Sequence, residues 1–284
     1  MRINCFGDSL TAGTAWGNTL SYPAVLAQLT EMQVNNYGIG GESSCTVASR
    51  IGAVKVTLTD DIYFKQGENG PVPAALTDIQ MKPSGLLKQT QEDTGDDLVN
   101  PVKLGGCPGR LSRNGDILFF TRDNADKSLV ITKGSILETR LSSEDFSDDI
   151  NIFWVGTNDY ASTSNIMDVI RNIKSMIERT GSTKFIVIGM TALSYMPEAE
   201  QVNGILCNEF GEHFYDFRKY ILSLPVVKEG NPFYRQDTDD AERGEIPTSL
   251  IKAPRHDHVH GNEKFFSLLG AGLYGKLKES GYIR

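Results

Sequence analysis

Four short blocks of this sequence hold residue types that can do chemistry together. The first is Gly7-Asp8-Ser9-Leu10-Thr11, in which Ser9 is a candidate nucleophile. A serine hydroxyl is weakly nucleophilic until a base takes its proton, so Ser9 needs a histidine from elsewhere in the chain. The run Arg255-His256-Asp257-His258-Val259-His260 offers one. Asp257 and His260 are three residues apart, a spacing that lets a carboxylate reach the Nδ1 side of an imidazole and leave Nε2 for a hydroxyl. The third block, Gly156-Thr157-Asn158-Asp159, carries an amide able to donate to a developing oxyanion. The fourth, Gly38-Ile39-Gly40-Gly41-Glu42, lacks the G-x-G-x-x-G spacing of a dinucleotide loop, but a glycine there lets a backbone N–H approach a ligand closely.

Each block also fits a plainer reading. Gly, Asp and Ser are common turn residues, and Asn158 could close an Asx-turn on its own backbone. Asp8 could cap the turn that follows it, or hydrogen-bond within the site to hold the loop. His256, His258 and His260 alternate and could bind zinc, although His213 is the one remaining histidine and no cysteine is nearby. Cys5 is a poor candidate for thiol chemistry, because it falls inside an apolar run at the first strand.

The elements that would position these blocks alternate between strand and helix. Residues 2–6, 34–37, 150–155, 185–189 and 213–217 read as short buried strands. Residues 22–30, 46–54, 166–180, 198–210 and 263–278 read as helices. Ile166, Val169, Ile170, Ile173 and Ile177 mark one helical face, and Gly181 stands where that helix should stop. Such alternation predicts a parallel sheet covered by helices on both faces. Ser9 and Asn158 then follow strands, at the edge where open α/β sheets bind ligands.

Residues 58–147 break this rhythm. Short β-rich runs at 62–64, 117–121 and 129–131 are separated by turn clusters such as Asn114-Gly115-Asp116. The segment is expected to be an inserted all-β subdomain, with the acidic run at 92–97 as a solvated loop. The remaining residues, 1–57 and 148–284, would form one discontinuous domain.

Bulk properties narrow the partners. The 284 residues carry a net charge of −8 and no basic run, which disfavours nucleic acid or an anionic membrane. No apolar stretch approaches the roughly 18–20 residues that cross a bilayer. The start of the chain has no room for a signal peptide, so the protein is expected to be cytoplasmic, or secreted if a leader has been removed. The four scattered cysteines read as thiols.

Taken in order, the four blocks resemble those of the SGNH (GDSL-type) hydrolases. The resemblance covers roughly residues 1–57 and 148–284. It implies a flavodoxin-like three-layer α/β/α fold with a parallel sheet, here interrupted by the β-rich insertion. It implies Ser9 as nucleophile, His260 as base and Asp257 as its orienting acid. The oxyanion hole would be formed by Ser9, Gly41 and Asn158, with no cofactor and no metal. The expected substrate is a small-molecule or carbohydrate ester, acetyl or another short acyl group being removed. A general esterase or lipase, a metal-dependent hydrolase on the three histidines, and a non-catalytic carbohydrate-binding module are the alternatives.

Overall fold

The computed structural model describes residues 1–78, 82–88, 96–191, 196–224 and 235–284, without the side chains of 235 and 236. Its contacts divide the chain into two compact units. The first comprises Met1–Gly40, Phe146–Arg171 and Ser182–Arg284, and the second Gly41–Asp145 and Asn172–Gly181.

The first unit is built on five parallel strands: β1 (Ile3–Gly7), β2 (Val34–Gly38), β12 (Ile150–Trp154), β13 (Phe185–Ile188) and β14 (Phe214–Tyr215). Their order in the sheet is β2-β1-β12-β13-β14. Counted along the chain this is 2-1-3-4-5, the flavodoxin-like order, and its switch point lies between β1 and β12. Helices flank the sheet, among them α1 (Ser9–Ala12), α2 (Tyr22–Thr30), α6 (Ala199–Phe210), α7 (Phe217–Ser223), α8 (Arg235–Glu242) and α9 (Glu263–Glu279). Alternate residues Ile3, Cys5, Ile150, Ile152, Trp154, Ile186 and Ile188 join Leu26, Phe265, Leu269 and Leu273 in one buried cluster. β1 and β12 are buried at every position, as strands covered on both faces must be.

Polar side chains cross the centre of this sheet. Asn35, Asn4 and Asn151 are aligned partners on β2, β1 and β12. Asn35 Nδ2 donates to Asn4 Oδ1 at 2.8 Å, and Asn4 Nδ2 donates to Asn151 Oδ1 at 3.1 Å. Asn151 in turn donates to the Phe146 carbonyl. Buried amides tolerate the interior because they satisfy one another.

The second unit contains α3 (Ser44–Arg50), the short α4 (Asp96–Val99) and strands β3 (Thr57–Leu58), β4 (Ile62–Phe64), β5 (Val72–Pro73), β6 (Leu76–Thr77), β7 (Val102–Leu104), β8 (Cys107–Asn114), β9 (Ile117–Arg122), β10 (Leu129–Ile131) and β11 (Leu137–Glu138). β11-β7-β8-β9-β5 form an antiparallel sheet, while β10-β4 and β3-β6 form two-stranded ones. The run at 117–120 alternates, with Leu118 and Phe120 buried and Ile117 exposed. A buried Arg122 closes the loops by donating to the carbonyls of Lys65, Glu68 and Lys127. Helix α5 (Ile166–Thr180) runs through both units, residues 166–171 in the first and 172–180 in the second. Of the acidic run, only Asp96 and Asp97 lie among the described residues, and they open α4.

Two expected elements shift. The helix expected at 46–54 is α3, which starts earlier because the Ser43 hydroxyl caps it by accepting from Thr46 N–H. It stops at Arg50, ahead of Gly52 at φ +76°. The strand expected at 213–217 ends at Tyr215, because the Asp216 carboxylate accepts from Lys219 N–H and starts α7 at Phe217.

Candidate active site

Ser9 begins α1 at the carboxyl end of β1. The turn there is tight: a side chain at Gly7 would collide with Thr11 and the Trp154 carbonyl, and one at Gly38 would collide with the backbone of Ala12. Asp8 caps α1, its Oδ1 accepting from Leu10 N–H at 2.9 Å. Its other oxygen, Oδ2, receives Asn158 Nδ2 at 3.3 Å, tying the loop after β12 to the loop after β1. Asp8 therefore does more than cap: it also holds Asn158.

Asp257 and His260 lie in the loop before α9. That loop is clamped at its base, where Lys252 N–H donates to the His260 carbonyl and Asn262 N–H to the Leu250 carbonyl. Asn262 then caps α9 by accepting from Lys264 and Phe265. Asp257 Oδ1 accepts from Val259 and His260 N–H at 2.7 and 3.1 Å. Its Oδ2 lies 2.5 Å from His260 Nδ1, and His260 Nε2 lies 2.7 Å from Ser9 Oγ. Three side chains from two distant blocks thus form one hydrogen-bonded series.

Electrostatics fix the direction of that series. Burial pushes the Asp257 carboxyl up, but the bonds from the Trp16 indole, Val259 N–H and the His260 ring and N–H outweigh it and hold the group at about 2. An ionised Asp257 only accepts, so His260 carries its proton on Nδ1 and Nε2 is left to accept from the Ser9 hydroxyl.

An open cavity of about 340 Å³ lies over these atoms, lined by Ser9, Thr157, Asn158, His256, Asp257, His258, Val259 and His260. Among the described lining residues Val259 is the one aliphatic side chain. Gly41 lies in the turn after β2 at φ +72° and opens the second unit. Its neighbour Glu42 is buried and paired with Arg50, Nη2 to Oε2 at 2.8 Å, which anchors that turn. Within the first unit, the glycine beside Ser9 is Gly40, whose Cβ position would lie 3.8 Å from Ser9 Cβ.

The histidine cluster does not gather around one point. Among the described residues no group of three or more His, Cys, Asp or Glu side chains is placed to hold a metal ion. His256 and His258 are exposed at the cavity mouth. Cys5 is wholly buried in β1, and burial, opposed by its bond with Tyr22, pushes its thiol up to about 12. No helix among the described residues is long and apolar enough to cross a membrane.

One participant escaped the sequence reading. Trp16 Nε1 donates to Asp257 Oδ2 at 2.5 Å. The available signal was a tryptophan set between Ala15 and Gly17 in a short polar loop, seven residues past Ser9.

The fold is thus an α/β protein with its cavity at the switch point of a five-stranded parallel sheet. The family model of the GDSL-like lipase/acylhydrolases matches residues 3–269, and the chain belongs to that family. Membership makes it an esterase- or lipase-type hydrolase. No curated protein matches the sequence. Among solved structures, the chain is similar to a G-D-S-L family protein from Desulfitobacterium hafniense DCB-2, at 13% identity and TM-score 0.48, covering 97% of this chain and 99% of that one. It is also similar to a member of the lipolytic G-D-S-L family from Veillonella parvula DSM 2008, at 15% identity and TM-score 0.47, covering 97% of each chain. AlinE4, an SGNH-hydrolase family esterase, aligns at 14% identity and TM-score 0.38 over 98% of this chain and 95% of its own.

Proposed function

We propose that this protein is a serine ester hydrolase that removes acetyl or other short acyl groups from a carbohydrate or similarly polar ester. The observation that carries the reading is the series Ser9 Oγ–His260 Nε2–His260 Nδ1–Asp257 Oδ2, with separations of 2.7 and 2.5 Å at its two hydrogen bonds. In the first step His260 takes the Ser9 proton as Oγ attacks the ester carbonyl, and Asp257 stabilises the imidazolium. The oxyanion is received by Ser9 N–H, Gly41 N–H and Asn158 Nδ2, each such donor being worth about 2.7–4 kcal/mol in the transition state. His260 then gives its proton to the departing alcohol. Water, deprotonated by His260, attacks the acyl-enzyme and releases the acid with Ser9 restored.

A polar substrate is supported by the side chains that line the cavity. A long acyl chain gains its binding energy from aliphatic walls, and among the described lining residues Val259 alone is aliphatic. The test is hydrolysis of a short-chain aryl ester by wild type and Ser9→Ala, with an organophosphate to label the nucleophile. Activity should vanish in the variant and the adduct should map to the Ser9 peptide. A fully active variant, or an adduct on another serine, overturns the reading.

A further inference from the structure

Trp16 is not placed as a core residue or as a comfortable turn residue. Trp16 is 57% exposed, although indole gains more than most side chains from burial. Its backbone lies at φ +57° and ψ +31°, the left-handed region that bulky residues avoid, while the next residue is a glycine at φ +71°. Strain of this kind persists where surrounding structure enforces it, and here the enforcing bonds are visible. The indole N–H is held by Asp257 Oδ2, the same oxygen that receives His260 Nδ1. Asn18 Nδ2 donates to the Gly261 carbonyl at 2.8 Å, and Thr19 Oγ1 to Glu263 at 3.0 Å. The loop after α1 is thereby fastened along the Asp257–Glu263 segment, and the ring cannot swing away while its N–H stays engaged.

What remains unused is the exposed face of the ring, one hydrogen bond from a residue that lines the cavity. A second exposed aromatic, Tyr160, is 63% accessible, also left-handed at φ +51°, and stands two residues past Asn158 on the loop after the neighbouring strand. An aromatic face one bond from a cavity lined by hydroxyl, amide and imidazole side chains suits a ligand with hydroxyls at its rim and a patch of C–H on its face. A saccharide ring has both. An acyclic ester has no flat face, and a long acyl chain lacks the polar groups.

We infer that Trp16 is at once the residue that positions Asp257 and the platform on which a sugar ring of the ester substrate stacks. The inference rests on the reading of Ser9 as nucleophile for its kinetic part and not for its binding part. A sugar ring covering the indole would shield the Trp16–Asp257 bond from water, so that binding of the alcohol portion supports the Asp257–His260 pair that deprotonates Ser9.

Binding and turnover can be read separately, because the chain has two tryptophans and Trp154 is buried. In Ser9→Ala, acrylamide quenching of the exposed tryptophan should fall about twofold with an acetylated xylo-oligosaccharide. It should stay unchanged with triacetin, an acyclic ester, and with acetylcholine, which offers the ring a cation instead. In the otherwise wild-type enzyme, Trp16→Phe keeps a ring and loses the N–H. Its kcat should fall about tenfold on the oligosaccharide and on triacetin alike, with KM for the oligosaccharide held. Trp16→Ala should add a rise in KM of about tenfold confined to the oligosaccharide. No protection by the oligosaccharide, equal protection by triacetin or acetylcholine, or a KM rise shared by both esters overturns the platform. An unchanged kcat in Trp16→Phe overturns the positioning role. If the wild type hydrolyses neither ester while the oligosaccharide still protects Trp16, the platform stands and the reading of Ser9 fails.

Discussion

Asp8 and Asn158 are 150 residues apart in sequence, yet a 3.3 Å hydrogen bond joins them between the loops that follow β1 and β12. The same carboxylate caps α1 through its other oxygen. One side chain thereby sets the serine and the amide relative to each other.

Two substitutions separate those duties. Asp8→Asn keeps an oxygen for the cap but sets its own N–H against the Asn158 amide N–H, so stability should hold while kcat falls about tenfold. Asp8→Ala should lose both, with about 1 kcal/mol of stability gone with the cap. Thermal melts and steady-state kinetics on one ester check this, and a fully active Asp8→Asn would reduce the residue to a cap.

Asn158→Ala tests the amide itself. An oxyanion donor acts mainly in the transition state, so kcat should drop about 10²–10³-fold with little change in KM. If KM rises instead and kcat holds, Asn158 binds the ground state and the hole lies elsewhere.

The pH dependence follows from Asp257, held at about 2 against an ordinary value of 3.8. A carboxyl lowered on folding stabilises the native state above its unfolded value and loses that contribution as pH falls through the folded one. The window therefore runs from about pH 4 down to about pH 2. The difference in Tm between wild type and Asp257→Asn should shrink steadily across it. A difference that stays constant would mean that the folded carboxyl is not held low.

The three histidines should behave unequally. His260→Ala should lower kcat by orders of magnitude, since it removes the base. His256→Ala and His258→Ala should change it little, and a chelator should leave the wild type active. Equal failure of all three variants, with activity lost to chelation and restored by zinc, would establish a metal centre instead.

How far the sequence could be read depended on how far apart the interacting residues were. Asp257 and His260 were legible as a pair because they are three residues apart. Strands β12 and β13 showed as short apolar runs, β12 interrupted only by Asn151, and α5 as a clear helical stripe. The contacts of Trp16 with Asp257, across 241 residues, left no local pattern. Nor did α8, an almost wholly polar helix in which Asp237 and Asp240 are buried because they accept from Ser249 and Thr248. Leu29 of α2 is apolar yet 42% exposed, since periodicity marks a face and not its coverage.

The asparagine row across β2, β1 and β12 bears on how the chain assembles. Shifting a fully apolar strand by two residues returns the same face to the same layer, so greasiness alone tolerates that error. The row does not, because a shifted strand leaves buried amides facing hydrocarbon. Asn4 finds Asn35 within its own neighbourhood, but its other partners, Asp149 and Asn151, arrive about 145 residues later, after the whole β-rich segment has been made. During synthesis the strand leading to Ser9 must therefore wait with one edge open. The register is proofread only when Asn151 emerges and closes it.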